Sequence, residues 1–191
     1  MRLLGRLVMT SLMASSAVLS ALEPRSTGAQ IHQPDTYASA DVDANGGLRI
    51  TTSSGLVVVV RKQGEQSSFR RVTLSPDRSA VAAQAEYPSC CTSYGLPLEL
   101  VVYSQGTVHR FKGIGLPIFR WHFADGGDRI AYGQEPVHFG CEIHYELRDI
   151  ESERLIDSAD VPQSCGQRPD PPETAVPKWV DALNEAHGSL R

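Results

Sequence analysis

Apolar and polar residues alternate with period two over much of the chain between residues 48 and 162. Residues 141–148 show this most clearly, because every second residue of that run is Cys, Ile, Tyr or Leu. Such alternation is typical of a β-strand with one buried face, so we expect a mainly β domain over 48–162. The predicted strands lie at 48–52, 56–61, 72–74, 80–85, 98–103, 108–111, 118–123, 130–132 and 141–148, with a last one starting at residue 155.

Three of these strands have a distinctive composition. Residues 56–60 are five consecutive apolar residues, four of them valine, which predicts a strand buried on both faces or a core hairpin partner. Residues 80–85 are mostly alanine, which permits a neighbouring sheet to approach closely. In the third, Phe119, Trp121 and Phe123 alternate, so they are predicted to form one heavy apolar stripe.

One sequence pattern occurs twice between residues 69 and 158. In each copy a turn containing aspartate joins two β-runs: Ser75-Pro76-Asp77 in the first and Ala124-Asp125-Gly126 in the second. These turns resemble those of β-propeller blades of the TolB-like and WD-repeat kind, where Ser-Pro-Asp-Gly joins the first two strands of a blade. The resemblance implies two propeller-like four-stranded repeats plus a partial hairpin. It also implies scaffolding and binding, and it transfers no catalytic residue.

The first 29 residues have the composition of a signal peptide. Arg2 and Arg6 precede an apolar stretch over 7–19, and small residues occupy 27–29. The stretch is short for a transmembrane span, which needs about 20 apolar residues, but an uncleaved anchor is the alternative. We therefore expect an exported protein, periplasmic or extracellular, with no stable membrane insertion after cleavage.

The segments that flank the β domain differ from it in composition. Residues 30–47 are polar and rich in small side chains, which predicts a flexible lead-in, and 163–176 is predicted to be a Pro-rich tether. A helix is predicted over 177–187, with Pro in its first turn and Gly just after its end. It could bind a partner or cover an open edge of its own sheet. Its predicted apolar face consists of Val176, Trp179, Val180 and Leu183.

The charge of the chain excludes some classes of partner. The full sequence has a net charge of −4, and loss of residues 1–29, with three arginines and one glutamate, makes it −6. Nucleic acids and anionic membranes select clusters of Lys and Arg, so neither is an expected partner.

Cys90, Cys91, Cys141 and Cys165 form an even set, which in an exported chain predicts disulfides with three possible connectivities. In the propeller-like repeats, Cys141 and the Cys90–Cys91 pair fall in corresponding loops on one rim. This placement favours a bond from one member of the pair to Cys141 and from the other to Cys165. A bond between Cys90 and Cys91 is the strained alternative, since it closes an eight-membered ring.

His138 and His144, with Glu142 beside them, form the sequence's strongest metal-like cluster. Zinc uses such side chains, but strand alternation places Cys141 and His144 on opposite faces. His144 is therefore interpreted as part of a solvated polar face. The sequence contains no Gly-x-Ser-x-Gly and no phosphate-binding glycine loop. We predict no catalytic residue, metal or cofactor, and keep this cluster as the site of an alternative metal-dependent or hydrolytic enzyme.

These patterns predict a non-catalytic binding or interaction module for an unknown protein or small ligand. Tyr87, Tyr94 and Phe139, on the rim that carries the cysteines, are the predicted contact residues, because aromatic side chains dominate interface energetics. Their alternative role is ordinary anchoring of loops. A further alternative is an accessory subunit of a larger envelope complex, which would oligomerise through an unpaired sheet edge.

Overall fold

The computed structural model describes residues 36–138, 141–163 and 176–188, and these residues form three antiparallel sheets and one α-helix. The first sheet contains β1 (Tyr37–Val42), β2 (Leu48–Thr52) and β3 (Val57–Val60), in that order. The second contains β4 (Ser68–Leu74), β5 (Ala80–Tyr87), β6 (Leu96–Ser104) and β7 (Thr107–Lys112). The third contains β8 (Ile118–Ala124), β9 (Arg129–Gln134), β10 (Glu142–Asp149) and β11 (Leu155–Pro162). The helix, α1, is Lys178–Gly188.

This arrangement confirms the predicted fold class: two four-stranded propeller-like repeats, a smaller sheet before them, and a C-terminal helix. The predicted signal peptide and nearly all of the predicted tether lie outside the described residues. Within the described part of the chain, no helix is both long and apolar enough to cross a membrane.

The prediction of a flexible lead-in over 30–47 is wrong for its second half. Residues Tyr37–Val42 pair with β2 as strand β1 and complete a three-stranded sheet. Tyr37 anchors this strand, since its side chain is buried and its ring lies 5.6 Å from that of Tyr103 in the second sheet. The polar residues that follow Tyr37 in this strand are mostly exposed to solvent. The sequence there therefore has the polar composition of a loop.

The second sheet is buried on both faces. Alternate residues of β5 enter different cores: Val81 packs against the first sheet, and Ala82 packs against the third. Both are fully buried, as are the other alanines of the strand. Small side chains let both neighbouring sheets approach, so the prediction of close sheet packing at 80–85 is confirmed.

The first sheet, in contrast, has one open face. Val60 is buried against the second sheet, whereas Val57 and Val59 are 53% and 48% exposed. The prediction that residues 56–60 form a strand buried on both faces, or a core hairpin partner, is therefore correct only for one face. The sheet is the first in the stack, so no described residue covers its other side.

A β-bulge changes the predicted apolar stripe of β8. The register against β9 shifts between Ile118 and Arg120. As a result Ile118 and Phe123 both reach the core between the second and third sheets, although they are five residues apart. Phe119 is only half-buried, and Trp121 packs at the margin of that core. The three-aromatic stripe is therefore incomplete.

The turn at residues 75–79 links all three sheets. Within the turn, Ser75 Oγ donates to Asp77 Oδ1 (2.6 Å). The Asp77 amide then donates to the Gly126 carbonyl in the matching turn of the third sheet (3.4 Å). In the other direction, the Tyr37 amide of β1 donates to the Arg78 carbonyl (2.8 Å). The repeated aspartate turns thus hold neighbouring sheets together.

Helix α1 covers the free face of the third sheet. Val180 and Leu183 are fully buried there against Ile143, Tyr145 and other residues of β9 and β10. The predicted helix and its apolar face are confirmed, and it covers one face of the sheet on the side of its outer strand, β8. The third sheet is the last in the stack, so its outer face would otherwise be exposed.

Replacing Leu183 with Ala should lower the free energy of unfolding by about 2–5 kcal/mol, because it leaves a cavity between the helix and the third sheet. Lys178→Ala is the control at an exposed position of the same helix, and it should change this free energy by less than about 0.5 kcal/mol. Urea unfolding measures both. Equal effects of the two substitutions would contradict the helix packing.

Candidate binding site

The two described residues among the predicted rim contacts differ in their exposure. Tyr94 is 51% exposed, whereas Tyr87 is half-buried beside Glu99. Burial, and then the hydrogen bond to Glu99 and its negative charge, raise the pKa of Tyr87 to about 12. Glu99 also accepts a hydrogen bond from Arg110, whose Nη1 lies 2.8 Å from Glu99 Oε2. Tyr87 is therefore held as a loop anchor, and Phe139 lies outside the described residues. The binding role of this rim stays a prediction.

The cysteines do not pair as predicted. Cys90 and Cys91 are both free thiols, so neither is bonded to Cys141. Their Sγ atoms lie 2.7 Å from each other. Cys141 is not a free thiol, and Cys165 lies outside the described residues. The predicted bridge fails because the pair occupies an exposed loop in which each sulfur faces its neighbour.

The structure does not assemble the predicted metal-like cluster. Among the described residues, no group of three or more His, Cys, Asp or Glu side chains is arranged to hold a metal ion. His144 lies between two carboxylates, with Nδ1 2.6 Å from Asp160 Oδ1 and Nε2 3.3 Å from Glu146 Oε1. Its contacts are therefore hydrogen bonds within the third sheet.

The face of β10 that was predicted to be solvated is partly buried. Glu146 is only 4% exposed, because that face turns toward the second sheet. Tyr132 Oη and Arg148 Nε each donate to Glu146 Oε2 at 2.6 Å. Gln134 donates to the other carboxylate oxygen (3.3 Å), and it accepts from the Ile114 amide in the loop before β8 (2.6 Å). This network fastens that loop to the sheet.

The ionisation equilibria of Tyr132 and Glu146 in this network are shifted. Burial, with the hydrogen bond to the Glu146 carboxylate, raises the pKa of Tyr132. Burial alone would also raise the pKa of Glu146. The hydrogen bonds from Tyr132 and Arg148, together with the charge of Arg148, outweigh it and hold that pKa below its usual value. The network therefore contains an ionised Glu146 carboxylate that already accepts hydrogen bonds from Tyr132 and Arg148.

A groove of about 490 Å³ lies between the second and third sheets on the side of their first strands. Trp121 and Phe123 form an aromatic wall, with their rings edge to face at 5.7 Å. The groove is lined by Arg71, Val72, Thr73, Leu74, Pro76, Trp121, His122, Phe123 and Ala186.

The groove runs along the edges of β4 and β8. Among the strands that the structure describes, each of these is an outer strand of its sheet, with β5 or β9 as its single neighbour. Successive side chains of a strand point to opposite faces, so a groove against one face would be lined by alternate residues. Here consecutive residues, 71–74 and 121–123, line it, and on β4 a register shift between Arg70 and Thr73 contributes to this. The open edges, with backbone groups that no sheet partner uses, therefore face the groove.

The groove carries little charge. Burial lowers the pKa of His122, so this imidazole is neutral at neutral pH. Arg71 is the one cation among the described lining residues, and arginine keeps its proton in proteins. Burial, and then the neighbouring charge of Arg70, lower the pKa of Arg71. Its Nη1 donates to the Phe119 carbonyl (2.7 Å), which ties the two strand edges together.

Sequence reasoning found the aromatic wall but not the groove. Trp121 and Phe123 were predicted as part of an apolar stripe, and Arg71, with Arg70, was interpreted as a solvated strand edge. The available signal was the repeat itself, since 71–74 and 121–123 lie in the first strand of their respective repeats.

No protein-family profile matches the chain, and no curated protein matches it either. Among solved structures, it is similar to Kuenenia stuttgartiensis hydrazine synthase, at 12% identity and a TM-score of 0.40, over 71% of this chain and 36% of that one. It is also similar to a candidate 6-phosphogluconolactonase from Bacteroides fragilis NCTC 9343, at 12% identity and a TM-score of 0.36, over 63% of this chain and 34% of that one. The chain thus spans about a third of each, and neither likeness bears on its function.

The Glu146 network should make stability depend on pH in a defined direction. The folded-state pKa of Glu146 is below its unfolded value of about 4.3. The carboxylate's contribution is therefore fully present above that value and is lost as pH falls through the folded pKa. The difference in unfolding free energy between wild type and Glu146→Gln should be largest near neutral pH and should narrow below about pH 4.

Urea unfolding at a series of pH values tests this expectation. Glu151→Gln, at an exposed turn position, is the control and should stay within about 0.5 kcal/mol of wild type throughout. A Glu146→Gln difference that does not change with pH would contradict the assignment.

Proposed function

We propose that the chain is an exported, non-catalytic binding module that takes an extended polypeptide segment in the groove between β4 and β8. The observation that carries the proposal is the pair of open strand edges along one groove. An extended peptide adds to such an edge through main-chain hydrogen bonds, and pockets beside the edge select its side chains.

The lining residues indicate which peptides would fit. Trp121, whose ring contacts the buried ring of Phe123, offers aromatic surface to apolar side chains, which project to the same side at every second position of an extended peptide. Because His122 is neutral and Arg71 is the single cation on the described part of the lining, a strongly basic segment is disfavoured. The expected ligand is an uncharged or weakly acidic segment with alternating apolar residues. Export is supported by residues 1–29 alone, and it stays a prediction.

Selection from a library of short random peptides tests the proposed site without a known ligand. Peptides enriched on the wild-type protein should share alternating apolar positions. These peptides should not bind the Thr73→Arg variant. Thr73 is exposed and lines the groove, so a long arginine side chain there fills the groove without disturbing the core.

Thr107→Arg is the matched control. Thr107 is also an exposed threonine of a strand, but it lies on β7, away from the groove. This variant should keep wild-type affinity for the selected peptides. Peptides that bind both variants equally well, or that are enriched to the same extent on Thr73→Arg, would overturn the proposed site.

A second candidate function, the accessory subunit, has one specific observation in its favour. Within residues 36–138, 141–163 and 176–188, the first sheet has three strands where the other two have four, and β3 has a single neighbour. Beside that edge, Val57 and Val59 expose apolar surface. A partner strand could pair with β3 and cover these valines, since unpaired apolar edges invite pairing with another chain.

Light scattering of the purified protein separates the two functions. The accessory subunit should form an oligomer that Val59→Lys dissociates, whereas Val108→Lys, at an exposed valine of β7, should leave it intact. The groove-binding module should be a monomer in all three forms. An oligomer that survives Val59→Lys would contradict assembly through the β3 edge.

A further inference from the structure

Cys90 and Cys91 form a dithiol on the surface of the second sheet. They occupy the loop between β5 and β6, both are exposed and free, and their Sγ atoms are 2.7 Å apart. The Cys91 amide donates to Ser89 Oγ (3.2 Å), so the two residues lie within a short hydrogen-bonded turn. The thiols therefore face each other before any reaction occurs.

We propose that Cys90 and Cys91 are a reversible redox site, which closes to a vicinal disulfide by exchange with a low-molecular-weight disulfide such as oxidised glutathione. The Cys90 thiolate attacks one sulfur of the external disulfide, which forms a mixed disulfide and releases one thiol. Cys91 then attacks the Cys90 sulfur, which forms the ring and releases the second thiol. The pair loses two electrons and two protons, and the external disulfide takes up both.

The order of the two steps follows from the local electrostatics. The hydrogen bond with Cys90, and then its negative charge, raise the pKa of the Cys91 thiol. The Cys91 thiol therefore gives up its proton less readily than an ordinary cysteine. Because the thiolate is the nucleophile, Cys90 is the attacking residue and Cys91 the resolving one.

The ring should open as readily as it closes. Adjacent Cα atoms are about 3.8 Å apart, whereas disulfides prefer about 4.4–6.8 Å. A disulfide of adjacent residues is therefore strained, and strained, exposed disulfides are the easily reduced ones. The same turn holds Tyr94, whose carbonyl accepts from Thr92 Oγ1 (2.6 Å), so ring closure should move this exposed aromatic residue. The site is independent of the proposed groove.

Peptide mapping tests the proposal, because trypsin releases both cysteines in one peptide, 79–110, that contains no other cysteine. After incubation with oxidised glutathione and alkylation, the wild-type peptide should be unalkylated and two hydrogens lighter than the dithiol. Mild reduction should restore two alkylation sites. Cys91→Ser should retain glutathione on Cys90, since the resolving thiol is absent, and Cys90→Ser should react more slowly.

Three results would overturn the proposal. The first is complete alkylation of both thiols at every glutathione disulfide concentration. The second is a glutathione adduct that persists in the wild-type protein. The third is a disulfide from this peptide to the peptide containing Cys141 or Cys165. Because Cys90 and Cys91 are exposed, both serine variants should keep the wild-type circular dichroism spectrum, which checks their folding.

Discussion

The structure depends on a sheet that is buried on both of its faces. In the central strand β5, Val81 and Ala83 face the first sheet, while Ala80 and Ala82 face the third. These short side chains let two sheets approach from opposite sides at the dense packing that protein interiors require. Larger residues in β5 would separate the sheets, and the groove between β4 and β8 would widen with them.

The aspartate turns fix the order and spacing of the sheets that β5 brings together. Gly127 shows how close the turns are, because a Cβ atom there would lie 2.7 Å from Asp77 Oδ1, and its φ of 143° is one that other residues rarely adopt. Arg78 stands where the propeller-type turn has glycine. It keeps the left-handed backbone, with a φ of 61°, and its guanidinium donates to the Ala38 carbonyl of β1 (3.0 Å). The departure from the motif thus supplies a contact to the first sheet.

Much of this fold could be predicted from the sequence, because strands with one buried face alternate visibly. The repeat, the helix and the tight packing at β5 all follow from residue type and spacing. The bulge in β8 could not be predicted, since one inserted residue changes which side chains reach the core without changing composition. Strand β1 was missed for a related reason: its burial depends on a single tyrosine among polar residues.

The candidate site was harder to predict than the fold. The sequence drew attention to unusual residues, His138, His144 and the cysteines, whereas the groove is made of ordinary residues that become a site only through the position of their strands. The open edges of β4 and β8 exist because each strand begins a repeat and has one neighbour. No residue type marks such an edge, so it emerges only once the sheets are arranged.

Hydrogen exchange, followed by mass spectrometry with and without a selected peptide, tests the central claim most directly. If an extended peptide adds to these edges, amides at 71–74 and 119–123 should be slowed, because they gain main-chain hydrogen bonds. The interior strands β5 and β9 should be unchanged. Protection confined to the loop at 88–95, or spread evenly over the whole chain, would contradict the account.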